Sequence, residues 1–130
     1  WDGFDDAIYN AARLLEIVSR DPAPEQGGVK FSERFGFMPE YPSTDEGKVP
    51  LVGDRDVVMA GVKQAYADME FSEVDGVRVR YDRGWFLCRP SNTEPILVMR
   101  AEAKDQPALD EILTDIEDRI GHIADIGKLK

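Results

Sequence analysis

The sequence predicts an α+β domain in which an antiparallel sheet carries two amphipathic helices on one face. Three strand-like runs follow one another between residues 77 and 102, separated by short loops, and strands connected in this way pair with their chain neighbours. Two stretches with apolar residues at helical spacing, at residues 55–69 and 106–124, lie on either side of these strands in the chain. Each helix has one apolar side to bury, so a two-layer arrangement is expected.

An additional helix is predicted at residues 2–20, ahead of this domain. Its apolar stripe consists of Phe4, Ile8, Ala11, Leu15 and Val18. Asp2 is a suitable N-cap for such a helix. The chain begins at Trp1 without a methionine, so we expect a piece of a longer protein. With the natural neighbours of this helix missing, we expect its stripe either to pack against another copy of the chain or to lie back on its own domain.

Residues 21–48 are predicted to be a linker, because they contain four prolines and four glycines among many charges. A short apolar cluster within it, Phe31 to Met38, is expected to be a turn of helix tucked under a neighbouring element. Residues 48–52 are a candidate strand at an edge of the sheet, since Pro50 cannot donate a ladder hydrogen bond.

The central elements have recognisable boundaries. Asp54 is placed to cap the helix at residues 55–69, and Asp75-Gly76 is a turn signal. Strict alternation of apolar and polar residues predicts a half-exposed strand from Val77 to Asp82. Asp82-Arg83-Gly84 is predicted to be a tight hairpin loop with Gly84 at a positive φ. The next two strands are expected at residues 85–89 and 96–102.

Composition limits the possible functions. The 130 residues carry a net charge of −10, which argues against general binding to nucleic acid or to an acidic membrane. Five of the sixteen basic residues are nevertheless arginines between residues 78 and 100, where they favour a local anion site. Cys88 is the single cysteine, so the chain has no intrachain disulfide, which is consistent with a reducing cytoplasm. His122 is the single histidine and has no cysteine or second histidine nearby with which to form a metal site.

The loop between the last two strands concentrates side chains that bind oxyanions. Arg89 offers a planar fork of donors, Ser91 and Thr93 offer hydroxyl groups, and Asn92 offers amide hydrogens. Asn92 also tolerates a left-handed backbone, which would turn successive backbone N–H groups toward an anion as a nest. The ordinary alternative is a strand-connecting turn, because Asn, Ser and Pro favour turns for local reasons.

This stretch also resembles a known family. The run Arg89-Pro90-Ser91-Asn92-Thr93-Glu94-Pro95, followed by the strand from Ile96 to Ala103, is similar to the signature of the C-terminal domain of α-D-phosphohexomutases, closest to the bacterial phosphomannomutase/phosphoglucomutase branch. The resemblance implies a fold similar to the TATA-binding protein. It also implies that the loop grips the phosphate that is not being transferred. The implied phosphate ligands are Arg89, Ser91, Asn92 and Thr93, with Arg100 as a weaker candidate.

The resemblance further implies a domain organisation. Residues 1–20 would be the last helix of the preceding sugar-binding domain, residues 21–48 an interdomain linker and hinge, and residues 49–130 the C-terminal phosphate-binding domain. The partners would be a hexose phosphate and the other domains of the same polypeptide, and neither nucleic acid nor a membrane is expected as a partner. The expected location of the protein is the cytoplasm.

The parent enzyme of this family interconverts hexose 1-phosphate and 6-phosphate through a phosphorylated serine and a 1,6-bisphosphate intermediate. It uses Mg²⁺ and a glucose 1,6-bisphosphate-type activator. The chain has no catalytic serine loop and no metal loop of the family, so alone it is expected to be inactive. Asn92 stands where phosphoglucosamine mutases usually have glycine, which favours glucose or mannose phosphate. Two alternatives remain open: the same domain of a phosphoglucosamine mutase, and a free-standing anion-binding or protein-interaction module.

Overall fold

The computed structural model describes residues 6–20, 22–124 and 126–129, and the chain divides into two compact units, residues 1–40 and 41–130. The described residues of the first unit form the α-helix α1 (Ala7–Ser19) and two short 3₁₀ turns at Pro24–Gln26 and Phe31–Phe35.

Among the described residues, helix α1 begins at Ala7. Its N-cap is Asp6, whose carboxylate accepts a hydrogen bond of 2.9 Å from the backbone N–H of Tyr9. The proposed cap Asp2 and the stripe residue Phe4 lie outside the described residues. Asp6 takes the capping role because its extended backbone lets the carboxylate reach an otherwise unpaired N–H in the first turn.

The apolar side chains of the first unit are largely exposed. Helix α1 has no buried residue, and Ile8 and Leu15 are 85% and 69% exposed. Phe37 is 82% exposed, so the prediction that the cluster from Phe31 to Met38 tucks under a neighbour is wrong. Phe31 and Phe35 instead pack edge-on against each other, because a 3₁₀ turn brings residues close to each other in the chain onto one side. Self-association through α1 stays a prediction.

The second unit is built on a five-stranded antiparallel sheet. Its strands are β1 (Gly47–Pro50), β2 (Phe71–Ser72), β3 (Val77–Tyr81), β4 (Gly84–Pro90) and β5 (Ile96–Ala103). They lie in the spatial order β1-β5-β4-β3-β2, so β2 to β5 form a meander and β1 returns to pair with β5. Strand β1 lies at an edge of the sheet, which confirms the prediction made from the presence of Pro50.

Alternation along the strands separates two faces of the sheet. On β4, Phe86 and Cys88 are fully buried, whereas Trp85, Leu87 and Arg89 point to the other face. Helices α2 (Arg55–Ala65) and α3 (Gln106–Ile120) both pack on the buried face. Their contribution to the core comes mainly from Met59, Val62, Leu109, Ile112, Ile116 and Ile120. The predicted two-layer α+β architecture is therefore confirmed. Across the described ranges, no helix is both long and apolar enough to cross a membrane.

Gly84 does not have the role that the sequence suggested. It pairs with Tyr81 as the first residue of β4, so the hairpin loop is Asp82-Arg83 alone, and Gly84 is not among the glycines with positive φ. A Cβ at this position would lie 2.4 Å from the carbonyl oxygen of Glu102 and 2.7 Å from Cδ1 of Ile112. Glycine is required there because a neighbouring strand and α3 approach closely.

The start of the second unit is hydrogen-bonded to β5. The backbone N–H of Thr44 donates to the carbonyl of Ala101 at 2.9 Å, and that of Ala103 donates to the carbonyl of Pro42 at 3.0 Å. The residues just before β1 thus continue its pairing along β5. The boundary expected at residue 48 therefore falls inside this unit. The assignment of segments to domains of a longer protein stays a prediction.

One arginine joins the two helices. Arg119 on α3 donates to both carboxylate oxygens of Asp68, at 2.7 and 3.0 Å, and to Asp115 at 2.8 Å. It also donates to the carbonyl of Ala65, the last residue of α2, at 2.6 Å. This cluster holds the end of α2 against α3 and so stabilises the layer beneath the sheet.

Candidate anion-binding site

The loop between β4 and β5 is closed by its own hydrogen bonds. The N–H of Ser91 donates to the carbonyl of Ile96 at 2.9 Å, and the N–H of Ile96 donates to the carbonyl of Glu94 at 2.8 Å. The hydroxyl oxygen of Ser91 accepts from the N–H groups of Thr93 and Glu94, at 3.3 and 3.2 Å. A loop held in this way loses less conformational entropy when it binds a ligand.

The backbone of this loop does not form the expected nest. No residue other than glycine has a positive φ in the part of the chain that the structure describes, so Asn92 is not left-handed and that expectation is wrong. The physical reason is local: the Ser91 hydroxyl takes up the N–H groups of Thr93 and Glu94. The donors left for an anion therefore include side-chain groups such as the O–H of Ser91, which lies 3.4 Å from Oγ1 of Thr93.

Arg89 lies at the end of β4 on the face of the sheet that the helices leave open. Its side chain is 32% exposed, and its Nε is 3.7 Å from the carboxylate of Asp75. Asp75 is itself 73% exposed, so this ion pair is weak and open to water. Arg89 does not pair with Glu102, whose register partner on β4 is Trp85.

The turn at Asp75-Gly76 lies directly against Arg89. Gly76 has a φ of +77°, and a Cβ there would be 2.6 Å from Cβ of Arg89 and 2.4 Å from the carbonyl oxygen of Cys88. Glycine thus permits both the turn and its close approach to the strand. The sequence predicted this turn, but its position beside Arg89 comes from the pairing of β3 with β4.

A second arginine contacts the loop from α2. Nη2 of Arg55 donates to Oδ1 of Asn92 at 3.3 Å, across 37 positions of the sequence. The N–H of Leu51, just ahead of this helix, donates to the carbonyl of Pro95 at 2.9 Å. A cleft of about 340 Å³ lies here, and its lining includes Arg55, Lys63 and Asn92 together with the carboxylates of Asp56, Glu73 and Asp75. Arg55 had no signal in the sequence, because nothing local links it to the loop.

Arg100, the weaker candidate, is further from the loop. It pairs with Leu87 on β4, whereas Arg89 pairs with Val98, so the two arginines are diagonal neighbours on the open face. Nη2 of Arg100 lies 3.4 Å from the hydroxyl of Ser43, to which it donates. The structure thus groups Arg89, Ser91, Asn92 and Thr93 in one strand end and loop, with Arg100 beside them.

A larger cavity, of about 720 Å³, lies between residues 43–45 and α3, on a different part of the unit. Its lining includes the carboxylates of Asp45, Asp110, Glu117 and Asp118. Charges of that sign repel a phosphate, so size alone does not make this cavity the anion site. Among the residues described, no group of three or more His, Cys, Asp or Glu side chains is arranged to hold a metal ion.

Fold and loop together define an α+β domain that presents a strand end and loop rich in oxyanion-binding side chains. The family described as "Phosphoglucomutase/phosphomannomutase, C-terminal domain" matches residues 46–119, which is more than half of the chain. The chain therefore belongs to the phosphoglucomutase/phosphomannomutase family, as its C-terminal domain. The resemblance noted in the sequence is confirmed.

Individual relatives agree with this assignment. The chain is 44% identical to a phosphomannomutase/phosphoglucomutase of Pseudomonas syringae pv. tomato, over 86% of this chain and 23% of that protein. It is 34% identical to a probable phosphoglucosamine mutase of Methanocella arvoryzae, over 86% of this chain and 24% of that protein. A phosphoglucomutase/phosphomannomutase family protein of Burkholderia thailandensis superposes with a TM-score of 0.72 at 32% identity, covering 95% of this chain and 25% of the other. The chain thus spans about a quarter of the length of the relatives it matches.

Proposed function

We propose that this chain binds the phosphate group of a hexose phosphate at residues 89–93, within an enzyme that interconverts hexose 1-phosphate and hexose 6-phosphate. The observation that carries this proposal is the position of Arg89. Its guanidinium is partly exposed at a strand end beside a preordered loop of hydroxyl and amide groups. Among the described residues, its ion pairing is limited to a loose contact with an exposed carboxylate.

Each residue would make a different kind of contact with the phosphate. The fork of Arg89 matches two phosphate oxygens and combines charge with fixed geometry. The hydroxyl hydrogens of Ser91 and Thr93 and the amide hydrogens of Asn92 supply further donors. Such contacts exist in the ground state and in the transition state alike, so this domain would clamp the substrate rather than transform it.

The chemical steps belong to the rest of the proposed enzyme. The phosphoserine and the Mg²⁺ ion of the family reaction would be supplied by other domains, and the 1,6-bisphosphate activator would act there. We assign no Mg²⁺ ligand to this chain, whose described residues include no group of three or more His, Cys, Asp or Glu side chains arranged to hold a metal ion. No reaction step is assigned to them.

The preferred sugar is proposed to be glucose or mannose phosphate, as for relatives named phosphomannomutase/phosphoglucomutase. Phosphoglucosamine is the second candidate, because a relative named as a probable phosphoglucosamine mutase is 34% identical. Kinetic comparison of the full-length enzyme on glucose 1-phosphate and glucosamine 1-phosphate distinguishes them. A higher kcat/KM for the glucosamine ester would overturn the preference.

The binding role is tested by titrating the ¹⁵N-labelled 130-residue chain with inorganic phosphate and following its amide resonances. We expect shifts at residues 89–93, with a Kd of about 1 mM or weaker, because a hydrogen bond to a charged group contributes only about 1.5–3 kcal/mol and the loop is open to water. Arg89→Lys should weaken binding, since lysine keeps the charge and loses the fork.

Arg80→Lys is the matched control. Arg80 is an exposed residue of β3 paired with Trp85, near the opposite end of the hairpin from Gly76. Shifts elsewhere, or equal effects of the two lysine variants, would refute the assignment of the site.

In the full-length enzyme, Arg89→Ala should raise KM more than it lowers kcat, because the clamped phosphate is bound equally in both states. A fall in kcat larger than the rise in KM would contradict the clamping role. If the gene of origin encodes neither a phosphorylatable serine loop nor an aspartate-rich metal loop, the free-standing module becomes the better hypothesis.

A further inference from the structure

Arg55 occupies an unusual position at the start of α2. The preceding residue, Asp54, directs its carboxylate to the helix backbone, where it accepts from the N–H groups of Asp56 and Val57 at 2.9 and 3.1 Å. In the part of the chain that the structure covers, no carboxylate forms an ion pair with Arg55. Its guanidinium instead contacts Asn92, beside a cleft whose lining also holds the carboxylates of Asp56, Glu73 and Asp75.

The contact determines which way the Asn92 amide faces. A guanidinium has donors only, so the atom 3.3 Å from Arg55 must be the amide oxygen. The NH₂ group of Asn92 then points to the other side of the side chain. Only this NH₂ group can donate to an anion, whereas the oxygen repels one. Without Arg55, both orientations of the amide are accessible, and the oxygen faces the ligand in one of them.

We propose that Arg55 is a positioning residue of the phosphate site: it holds the Asn92 amide with its NH₂ group toward the anion and adds a positive charge at the rim. This inference rests on the proposed function of residues 89–93. The ligand it favours is a doubly charged phosphate group, which gains from each added donor and from the added charge. The contact also ties α2 to the loop, alongside the backbone hydrogen bond from Leu51 to Pro95.

A purely structural role for Arg55 predicts a different pattern of substitutions. Lysine at this position still has donors only, so Arg55→Lys keeps both the amide orientation and the charge. Glutamine is neutral and can donate or accept, so Arg55→Gln permits either orientation. A positioning role thus requires that lysine rescues phosphate binding and glutamine does not, while both variants keep a near-native midpoint of thermal unfolding.

The experiment is the inorganic phosphate titration of the ¹⁵N-labelled chain, with the side-chain NH₂ resonances of Asn92 followed in addition to the backbone. We expect Arg55→Gln to raise Kd about threefold to tenfold and Arg55→Lys to raise it less than about twofold. In an Asn92→Ala background, Arg55→Gln should have a smaller effect, because part of what Arg55 does passes through Asn92.

The outcomes separate this inference from the proposed function. If Arg55→Gln binds phosphate as the unsubstituted chain does while Arg89→Lys binds more weakly, the inference fails and the proposed function stands. If the glutamine and lysine variants lose affinity and stability equally, or if the Asn92→Ala background leaves the effect undiminished, the positioning role is also refuted. If phosphate causes no shifts at residues 89–93 of the unsubstituted chain, the proposed function fails and this inference with it.

Discussion

Gly76→Ala is expected to weaken both the second unit and the proposed phosphate site, because the turn that contains Gly76 lies against the backbone of Arg89. The chain contains a matched control in Gly53, which has a similar positive φ, +101° against +77°. An alanine at either position suffers the strain of a left-handed backbone, about 1–2 kcal/mol. The two positions differ in what surrounds the added methyl group.

At Gly53 a Cβ meets nothing within 4 Å, whereas at Gly76 it lies 2.4 Å from the carbonyl oxygen of Cys88 and 2.7 Å from Cα of Arg89. These are backbone atoms of β4, which cannot rotate away as a flexible side chain can. Overpacking of this kind costs about 1–3 kcal/mol. Gly76→Ala should therefore lower the free energy of unfolding by about 2–5 kcal/mol, and Gly53→Ala by about 1–2 kcal/mol.

Urea unfolding of both variants measures this difference in the free energy of unfolding. The slope of that free energy against urea concentration is compared with the slope for the unsubstituted chain. For Gly76→Ala, the phosphate titration should also show a higher Kd, because relief of the clash moves the strand that positions Arg89. Equal destabilisation by the two substitutions would show that the close approach of turn and strand does not affect the free energy of unfolding. Native phosphate affinity in Gly76→Ala would show that this approach does not position Arg89.

Three further predictions follow from individual side chains. Asp75→Asn removes the carboxylate 3.7 Å from Nε of Arg89 and should lower the Kd for inorganic phosphate about twofold to fivefold; an unchanged Kd would mean that the ion pair does not compete with the ligand. Hydrogen bonding to Arg119 holds the pKa of Asp68 below its usual value. Because the folded pKa is the lower one, this stabilisation is present above the unfolded pKa of about 3.9 and is lost as the pH falls through that value toward the folded pKa. Asp68→Asn should therefore flatten the acid limb of a plot of stability against pH, and an unaltered limb would exclude this ion pair as a cause. Burial raises the pKa of the Cys88 thiol to about 12, so iodoacetamide at pH 8 should leave the native chain unmodified and alkylate it in urea; rapid alkylation of the native chain would contradict the buried placement.

Much of the fold was predictable because its signals are local. The alternation from Val77 to Tyr81, the apolar stripe of α3 and the turn at Asp75-Gly76 depend on residues that are neighbours in the chain. The same holds for the candidate site, since Arg89 and the loop at residues 91–95 lie together in the sequence and adopt one strand end and turn. Their capacity to bind oxyanions follows from residue type, so it could be predicted from the sequence.

The tertiary structure decided what depends on contacts between distant segments. Strand β2 has two residues, too few for an alternation pattern, and forms only because β3 offers it a partner. Gly84 and Gly76 are the same residue type, but Gly76 is required by a turn with positive φ. Gly84 is required because Glu102 and α3 pack close to it. Composition alone does not distinguish these two uses of glycine.

The same limit applies to the surroundings of the site. Arg55 is 37 positions from Asn92, and Asp75 is 14 positions from Arg89, so no spacing rule connects them. They meet because α2 packs on the buried face of the sheet and β3 pairs with β4. The sequence by itself thus determined which side chains could bind a phosphate. Only the packing of helices and strands, which the hydrophobic core drives without regard to chain separation, decided which charges stand beside them.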